Sequence, residues 1–111
     1  MEYPNIDWRA YSHIIRGVQR KVILKYLNKP MTPTELKDEL RDFERKRRVR
    51  KSKEIKIIRG LNFNNISRIL RSFDKLGIVK CLTPNEKVGR IYVLTEKGEK
   101  LKKYLIQRKL I

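Results

Sequence analysis

Residues 61–95 of this chain read LNFNNISRILRSFDKLGIVKCLTPNEKVGRIYVLT, and the first seventeen of them have the pattern of an amphipathic helix. Asn62 is the predicted N-cap, with Leu61 and Ile66 placed to form a hydrophobic staple around it. Gly77 suits the left-handed residue that ends such a helix. Apolar residues recur at three- and four-residue steps between these two signals. The predicted buried face consists of Phe63, Ile66, Ile69, Leu70, Phe73 and Leu76.

The remaining faces of this helix are polar and basic. Asp74, at the side, is the only carboxylate on it. Amide, hydroxyl and cationic side chains hydrogen-bond base edges and phosphates, so the pattern predicts a DNA-recognition helix. A bidentate contact from Arg68 or Arg71 to guanine would contribute about 1–3 kcal/mol of discrimination. The predicted DNA-contacting residues are Asn64, Asn65, Ser67, Arg68, Arg71, Ser72 and Lys75.

Two short runs rich in β-branched and aromatic residues follow, at residues 78–82 and 90–94, and both are typical of strands. Residues 84–89 between them contain turn-forming Pro, Asn and Gly. A polar helix followed at once by a hairpin with a basic tip predicts a winged helix-turn-helix. The helix would enter the major groove, while Lys87 and Arg90 contact the backbone or the neighbouring minor groove. The predicted class is α+β, mainly helical, with a two- to three-stranded antiparallel wing.

A first helix is predicted to begin after Asn5 or Asp7 and to extend to about Leu27. Gly17 lies inside this pattern, at a cost of about 1 kcal/mol relative to alanine in a helix interior. We therefore expect Gly17 to separate an N-terminal arm helix, residues 1–16, from the first core helix.

Residues 32–35, Thr-Pro-Thr-Glu, combine an N-cap threonine, a proline at the first helical position and a glutamate three residues after the cap. They predict the start of the first helix of the helix-turn-helix pair. Its free backbone amides would face a DNA phosphate, with Thr32 and Thr34 seating the helix on the backbone.

Residues 41–60 depart from a compact helix-turn-helix, whose helices are joined by a turn of about 3–4 residues. We expect the helix to continue to about Arg48 and then give way to a mobile basic loop, with Ile55, Ile57 and Ile58 re-entering the core as a short turn or an extra strand. A charge run such as residues 45–53 is commonly a solvated face, and a nuclear-localisation tract is a further reading. We prefer phosphate binding, because neutralised phosphates release counterions. The predicted phosphate contacts here are Arg45, Lys46, Arg47, Arg48, Arg50, Lys51 and Lys53.

Thr95 is the predicted N-cap of a last helix that extends over residues 95–111. Its face carries Leu101, Tyr104 and Leu105, and further apolar residues lie near the end of the chain. Surplus apolar surface on a terminal helix is typical of packing across a twofold axis, which favours a homodimer. The alternative is a helix that only covers its own domain, and the sequence leaves both open.

The chain has 111 residues, which predicts a single domain. It has 29 Lys and Arg residues and 12 Asp and Glu residues, which give a formal charge of +17. A charge of this size indicates a polyanionic binding partner, and we prefer this interpretation to the alternative that the charge serves solubility alone. The N-terminus contains Glu2 and has no apolar leader, and no apolar run is as long as a membrane span. These features predict a cytoplasmic, nucleoid-associated protein without membrane contact.

Enzymatic and metal-dependent functions find little support in the sequence. Cys81 is the only cysteine and His13 the only histidine, so neither a disulfide framework nor a histidine pair is available. Cys81 is interpreted as a buried structural thiol. The five glycines do not form a phosphate-binding loop. We expect no catalytic residues, cofactor or metal, and no small-molecule effector is evident.

Five segments carry a resemblance to a known family: VILKYL (residues 22–27), MTPTEL (31–36), ISRIL (66–70), KLGIVKCLTP (75–84) and GRIYVLTEKG (89–98). Together they resemble the archaeal winged-helix transcriptional regulators, broadly MarR-like, over roughly residues 16–100. The resemblance implies binding of double-stranded DNA, commonly as a dimer, by the helix with Ser67, Arg68 and Arg71 and by the wing. Members usually pass from the second helix to the third in a few residues, unlike residues 41–61 here.

The predicted function is therefore sequence-specific binding of double-stranded DNA by a transcriptional regulator. One alternative is an architectural protein that binds nucleic acid without sequence preference, for which a steep salt dependence would be the sign. Another is a winged helix that serves as a protein-interaction module in a larger assembly. In that case duplex affinity would be weak even at low salt.

Overall fold

The computed structural model describes residues 6–45 and 52–111 and gives them a mainly helical α+β architecture with one small sheet. The helices are α1 (Trp8–Ile15), α2 (Val18–Tyr26), α3 (Pro33–Arg45), α4 (Ser52–Gly60), α5 (Phe63–Lys75) and α6 (Glu96–Gln107). The strands are β1 (Val79–Cys81) and β2 (Tyr92–Leu94).

Side-chain caps fix the starts of four helices, as the sequence predicted. The Asp7 carboxylate accepts hydrogen bonds from the first-turn amides of α1. A reciprocal pair between Thr32 and Glu35 begins α3, with the hydroxyl accepting at 3.1 Å from the Glu35 amide. Asn62 caps α5, and Thr95 accepts from the Gly98 amide at the start of α6. Each cap involves residues at most three positions apart, so the local sequence is enough to specify it.

The division of the N-terminal helical pattern at Gly17 is confirmed. Gly17 has an extended backbone and is the N-cap of α2, so α1 and α2 meet at a corner. Arg20 secures that corner because its guanidinium donates a 2.9 Å hydrogen bond to the carbonyl of His13. The side chain of Arg20 also fills the space beside Gly17, where an added Cβ would lie 2.8 Å from its Cδ.

Residues 52–60 form a helix, so the expected short turn or extra strand for Ile55, Ile57 and Ile58 is wrong. Ile58 is buried and the other two are half-buried, because α4 packs between α2 and α3. Ion pairs tie α4 to both neighbours: Glu54 pairs with Lys25 of α2 at 3.2 Å, and Arg59 pairs with Glu44 of α3 at 2.5 Å. These partners lie 15 or more residues away and stabilise a helix that isoleucine's strand preference does not favour. The predicted extension of α3 to Arg48 and the mobile loop fall on residues 46–51, outside the described residues.

The two strands pair antiparallel, with Val79 opposite Leu94 and Cys81 opposite Tyr92. Met31, just before α3, adds a single bridge to β2: its amide and carbonyl both bond to Tyr92, at 3.0 and 2.8 Å. The sheet therefore has two strands and one bridging residue on its outer side. The segment from β1 through residues 82–91 to β2 is called the hairpin below.

The core is built from the six described helices and the sheet. Helix α3 packs directly on α5, although α4 lies between them in the sequence. On α5, Ile66, Leu70 and Phe73 are fully buried, while Ile69 and Leu76 are partly buried against the core. Phe63 is the exception to the predicted face, with 44% of its surface exposed. It is the first residue of α5, one turn before the first core contact at Ile66, and so it lies beyond the edge of the core.

The C-terminal helix covers part of its own domain. Tyr104 of α6 packs edge-to-face on Trp8 and Tyr11 of α1, with ring centroids 5.9 and 6.1 Å apart. Ile106 and Leu110 remain exposed at the end of the chain. In the described ranges, none of the helices has the length and apolar character that crossing a membrane requires.

Candidate nucleic-acid interface

One exposed face of α5 is polar and basic along its whole length. Asn64, Arg68, Arg71 and Lys75 recur at steps of four, three and four residues, which places them on one side of a helix. All four are exposed, and together with Ser72 they line one shallow concavity. We call these four residues the outward face of α5. The three buried residues Ile66, Leu70 and Phe73 hold the opposite side in the core.

The other three sequence-predicted residues of α5 lie off this face. Ser67 is buried, with 8% of its surface exposed, so its side chain is directed away from the surface that a ligand would meet. Asn65 is the partner of Asn62 in the cap: its amide donates to Asn62 at 2.8 Å and its side chain accepts from the Asn62 amide. Ser72 is half-buried and donates to the carbonyl of Ile69 at 2.7 Å. Asn65 and Ser72 therefore belong to the edge of α5 that faces α1 and α2.

The hairpin is attached to α5 by a short, well-bonded turn. Gly77 has φ of +74°, the left-handed conformation that favours glycine, and the Ile78 amide bonds to the carbonyl of Phe73 at 2.8 Å. The hydroxyl of Thr95 lies in contact with the carbonyls of both Gly77 and Ile78. These bonds fix the direction in which the hairpin leaves the helix.

The tip of the hairpin carries the two predicted cations. Lys87 is exposed, whereas Arg90 is half-buried and its guanidinium donates a 2.7 Å hydrogen bond to the carbonyl of Glu86. Gly89, with φ of +72°, makes the turn between them. Val88 lies between the two cations and is 82% exposed, which makes it a prominent apolar side chain at the tip.

A second cationic surface, which the sequence interpretation missed, lies beside α5. Arg9, Arg16 and Arg20 of the α1–α2 corner line a concavity of about 950 Å³ together with Ser72 and Lys75 of α5. Arg16 and Arg20 also line the adjoining depression, whose far wall includes Arg68. We call the first of these concavities, lined by Arg9, Arg16, Arg20, Ser72 and Lys75, the α1–α2 cleft. The arginines are separated by seven and four residues, but Gly17 interrupts the helix between Arg16 and Arg20, so this spacing alone does not place them on one side of a helix.

Several acids of the described residues pair with cations away from this side of α5. The ion pairs join Lys25 to Glu54, Lys29 to Glu39, Arg59 to Glu44, Lys97 to Asp7 and Lys100 to Glu96. Within residues 6–45 and 52–111, in contrast, none of the cations on the outward face of α5 or in the α1–α2 cleft pairs with a carboxylate. Nor does any acid from the described ranges line the three adjoining concavities. The positive charge of this side of the molecule is therefore not neutralised internally.

His13 lies in the wall of the α1–α2 cleft. Its Nε2 is 3.0 Å from the hydroxyl of Ser72, and its ring packs edge-on against Phe73. Partial burial lowers the pKa of His13 below its ordinary value of 6.5, and the nearby charge of Arg20 lowers it further. A lowered pKa favours the neutral imidazole, which links α1 to α5 through Ser72.

The predicted phosphate contacts away from α5 are dispersed. Thr32 uses its hydroxyl oxygen as the cap of α3, whereas Thr34 is exposed two residues further on. Arg45 pairs with Asp42 at 2.6 Å at the end of α3. Lys53 lies at a depression between α2, α4 and residues 109–111, on a different part of the surface from α5. The structure does not bring these residues together, and Lys46, Arg47, Arg48, Arg50 and Lys51 lie outside the described residues.

Other chemistry is sparse among the described residues. They contain no group of three or more His, Cys, Asp or Glu side chains arranged to hold a metal ion. Cys81 is half-buried in β1, with its sulfur 4.0 Å from the hydroxyl of Thr83, so it is less enclosed than a fully buried structural thiol. Burial and the contact with Glu54 raise the pKa of Tyr26, which keeps that phenol protonated between α2 and α4.

Comparison with known proteins gave no match for this chain to a family model, a curated protein or a solved structure.

Proposed function

We propose that this chain is a transcriptional regulator with a winged helix-turn-helix architecture, which binds double-stranded DNA by placing α5 in the major groove. The observation that carries the proposal is the outward face of α5, where three cations and an asparagine stand without a carboxylate partner among the described residues. Uncompensated arginine and lysine on one helix face attract phosphates and can donate to base edges.

The dimensions of α5 suit this role. Its 13 residues give a helix roughly 20 Å long, and a major groove about 12 Å wide admits an α-helix. The hairpin leaves the C-terminal end of α5 through the Gly77 turn, so Lys87 and Arg90 would reach the backbone or the minor groove next to the recognised segment. This connection supports the proposal that the hairpin serves as a wing.

Sequence reading would come from Arg68, Arg71 and Asn64. Arginine makes bidentate hydrogen bonds to the O6 and N7 atoms of guanine, and asparagine makes them to adenine, each contributing about 1–3 kcal/mol of discrimination. Lys75 is a flexible point charge suited to a phosphate. This division favours a sequence-specific regulator over a protein that binds every duplex equally.

The proposal is tested by measuring the affinity of the wild type and of the Arg68→Ala/Arg71→Ala variant for the protein's own promoter and for random duplex, at two salt concentrations. The matched control is Lys100→Ala/Lys103→Ala, which removes two exposed cations from α6 instead of α5. We expect the wild type to prefer the promoter by about 10³-fold or more, and the α5 variant alone to lose that preference.

Two outcomes would replace the proposal. If the wild type and both variants bind promoter and random duplex alike, with only the salt concentration changing the affinity, the protein is an architectural one. The net charge of +17 is the observation that favours this second candidate. If none of them binds duplex DNA even at low salt, the outward face of α5 is instead a protein-interaction surface.

We further infer that the chain acts as a homodimer, with Ile106 and Leu110 in the contact, because these apolar side chains stay exposed while Tyr104 packs within its own domain. Sedimentation of the wild type and of an Ile106→Glu/Leu110→Glu variant tests this. A dimeric wild type and a monomeric variant are expected. A monomeric wild type would contradict the inference.

A further inference from the structure

The α1–α2 cleft shares Lys75 with the outward face of α5, but its three arginines belong to no part of the DNA-binding surface proposed so far. Three arginines from the corner of α1 and α2 face Ser72 and Lys75 of α5 across it. Arg9 and Arg16 are exposed, and neither meets a carboxylate within the described ranges. Like charges gathered on one concave surface repel one another, so an anion between them would be favourable.

We infer that the α1–α2 cleft is a second DNA-binding site, which holds the phosphates of the strand that borders the groove occupied by α5. This inference rests on the proposed function and adds the N-terminal helix to the interface. The ligand class is the phosphodiester backbone of the same duplex, and the contact carries no sequence information.

Helix geometry supports this placement. The edge of α5 next to the cleft and the adjoining depression consists of Asn65, Ile69, Ser72 and Leu76, at three- and four-residue steps, and the outward face is the neighbouring stripe. The cleft borders the C-terminal end of α5 and the adjoining depression borders its earlier turns, so together they follow the side of α5 over most of its length. A helix lying in the major groove has a phosphate strand along each side, so the strand on this side would pass between α5 and the corner.

The corner is also held rigidly enough to act as a wall. Arg20 spans it by donating to the carbonyl of His13, and the His13 ring bonds to Ser72 of α5. Arg20 therefore has a structural as well as an electrostatic role. Arg9 and Arg16 have no hydrogen bond from their side chains to any described residue, so they are free to reach a phosphate.

The test replaces the two free arginines, Arg9→Gln/Arg16→Gln, and compares the variant with Lys100→Gln/Lys103→Gln, which lowers the net charge equally. The affinities for promoter and random duplex are measured over a series of salt concentrations. Thermal melting of each variant shows that it is folded. Because each lost phosphate contact removes about 0.9 from the slope of log Kd against log salt, we expect the cleft variant to lose about 1.8. The promoter preference should be unchanged.

The outcomes separate this inference from the proposed function. If the cleft variant keeps the slope of the control while the Arg68→Ala/Arg71→Ala variant loses promoter preference, α5 reads DNA and the cleft does not contact it. A cleft variant that loses promoter preference would also contradict the inference, since phosphate contacts do not read sequence. A wild type that binds no duplex overturns both proposals together. A shallower slope with retained preference supports the cleft as a backbone site.

Discussion

Replacing Gly98 with alanine should destabilise the protein through a collision between α6 and the start of β1. A Cβ at this position would lie 2.0 Å from the carbonyl oxygen of Ile78 and 3.2 Å from a methyl of Leu94. Ordinary contact begins at 3.4 Å, so helix and strand must move apart by about 1.4 Å. The same Ile78 carbonyl accepts hydrogen bonds from the amide and hydroxyl of Thr95, at 3.0 and 3.1 Å.

The expected loss combines opposing contributions. Overpacking costs about 1–3 kcal/mol, and weakening the Thr95 hydrogen bonds costs about 0.5–1.5 kcal/mol each. Alanine in place of glycine in a helix returns about 1 kcal/mol. The net expectation is a loss of about 1–5 kcal/mol, with a midpoint of about 3 kcal/mol, and each kcal/mol lowers Tm by roughly 4–8 °C for a domain near this size.

Urea unfolding followed by circular dichroism measures this loss, with Gly60→Ala as the matched control. Gly60 has no heavy atom within 4 Å of an added Cβ and does not have a positive φ, so alanine there should be neutral or stabilising by up to about 1 kcal/mol. The reasoning is refuted if Gly98→Ala proves as stable as Gly60→Ala. In that case α6 would not be packed closely on the turn that connects α5 to the hairpin.

Two further predictions concern the anchoring of α5. Asn62→Ala removes the cap that accepts from the Asn65 amide at 2.8 Å, and should lower the free energy of unfolding by about 0.5–2 kcal/mol in urea titrations; an unchanged midpoint would contradict it. His13 has a pKa below 6.5 when folded, so the unfolded chain takes up its proton first. The free energy of unfolding should therefore fall as the pH drops from above 6.5 through the pKa of folded His13. The His13→Gln variant should show a weaker pH dependence. Equal pH profiles for the wild type and this variant would refute the prediction.

The features that the sequence predicted correctly are those specified by neighbouring residues. The caps at Asp7, Asn62 and Thr95 and the left-handed Gly77 need partners within a few positions, so the local pattern contains the whole interaction. The periodicity of α5 predicted its buried residues for the same reason. Two residues depart from that pattern: Ser67 is buried although it was predicted to contact DNA, and Phe63, at the first turn, is exposed because exposure there depends on where the core ends.

The features that could not be predicted depend on partners distant in sequence. Helix α4 is stabilised by pairs such as Glu54 with Lys25, whereas its isoleucines considered alone favour a strand. The α1–α2 cleft brings Arg16 next to Lys75, 59 residues later, through the direction of the corner at Gly17. No local pattern specifies that direction, since it is set by the packing of α2 on α5.

The binding account is tested most directly by mapping which backbone amides change when duplex DNA is titrated into the labelled protein by NMR. We predict that the perturbed amides lie in α5, at the α1–α2 corner and at the hairpin tip around Lys87. Perturbations confined to α4 and α6, with the amides of α5 unchanged at saturation, would contradict the claim that α5 enters the major groove.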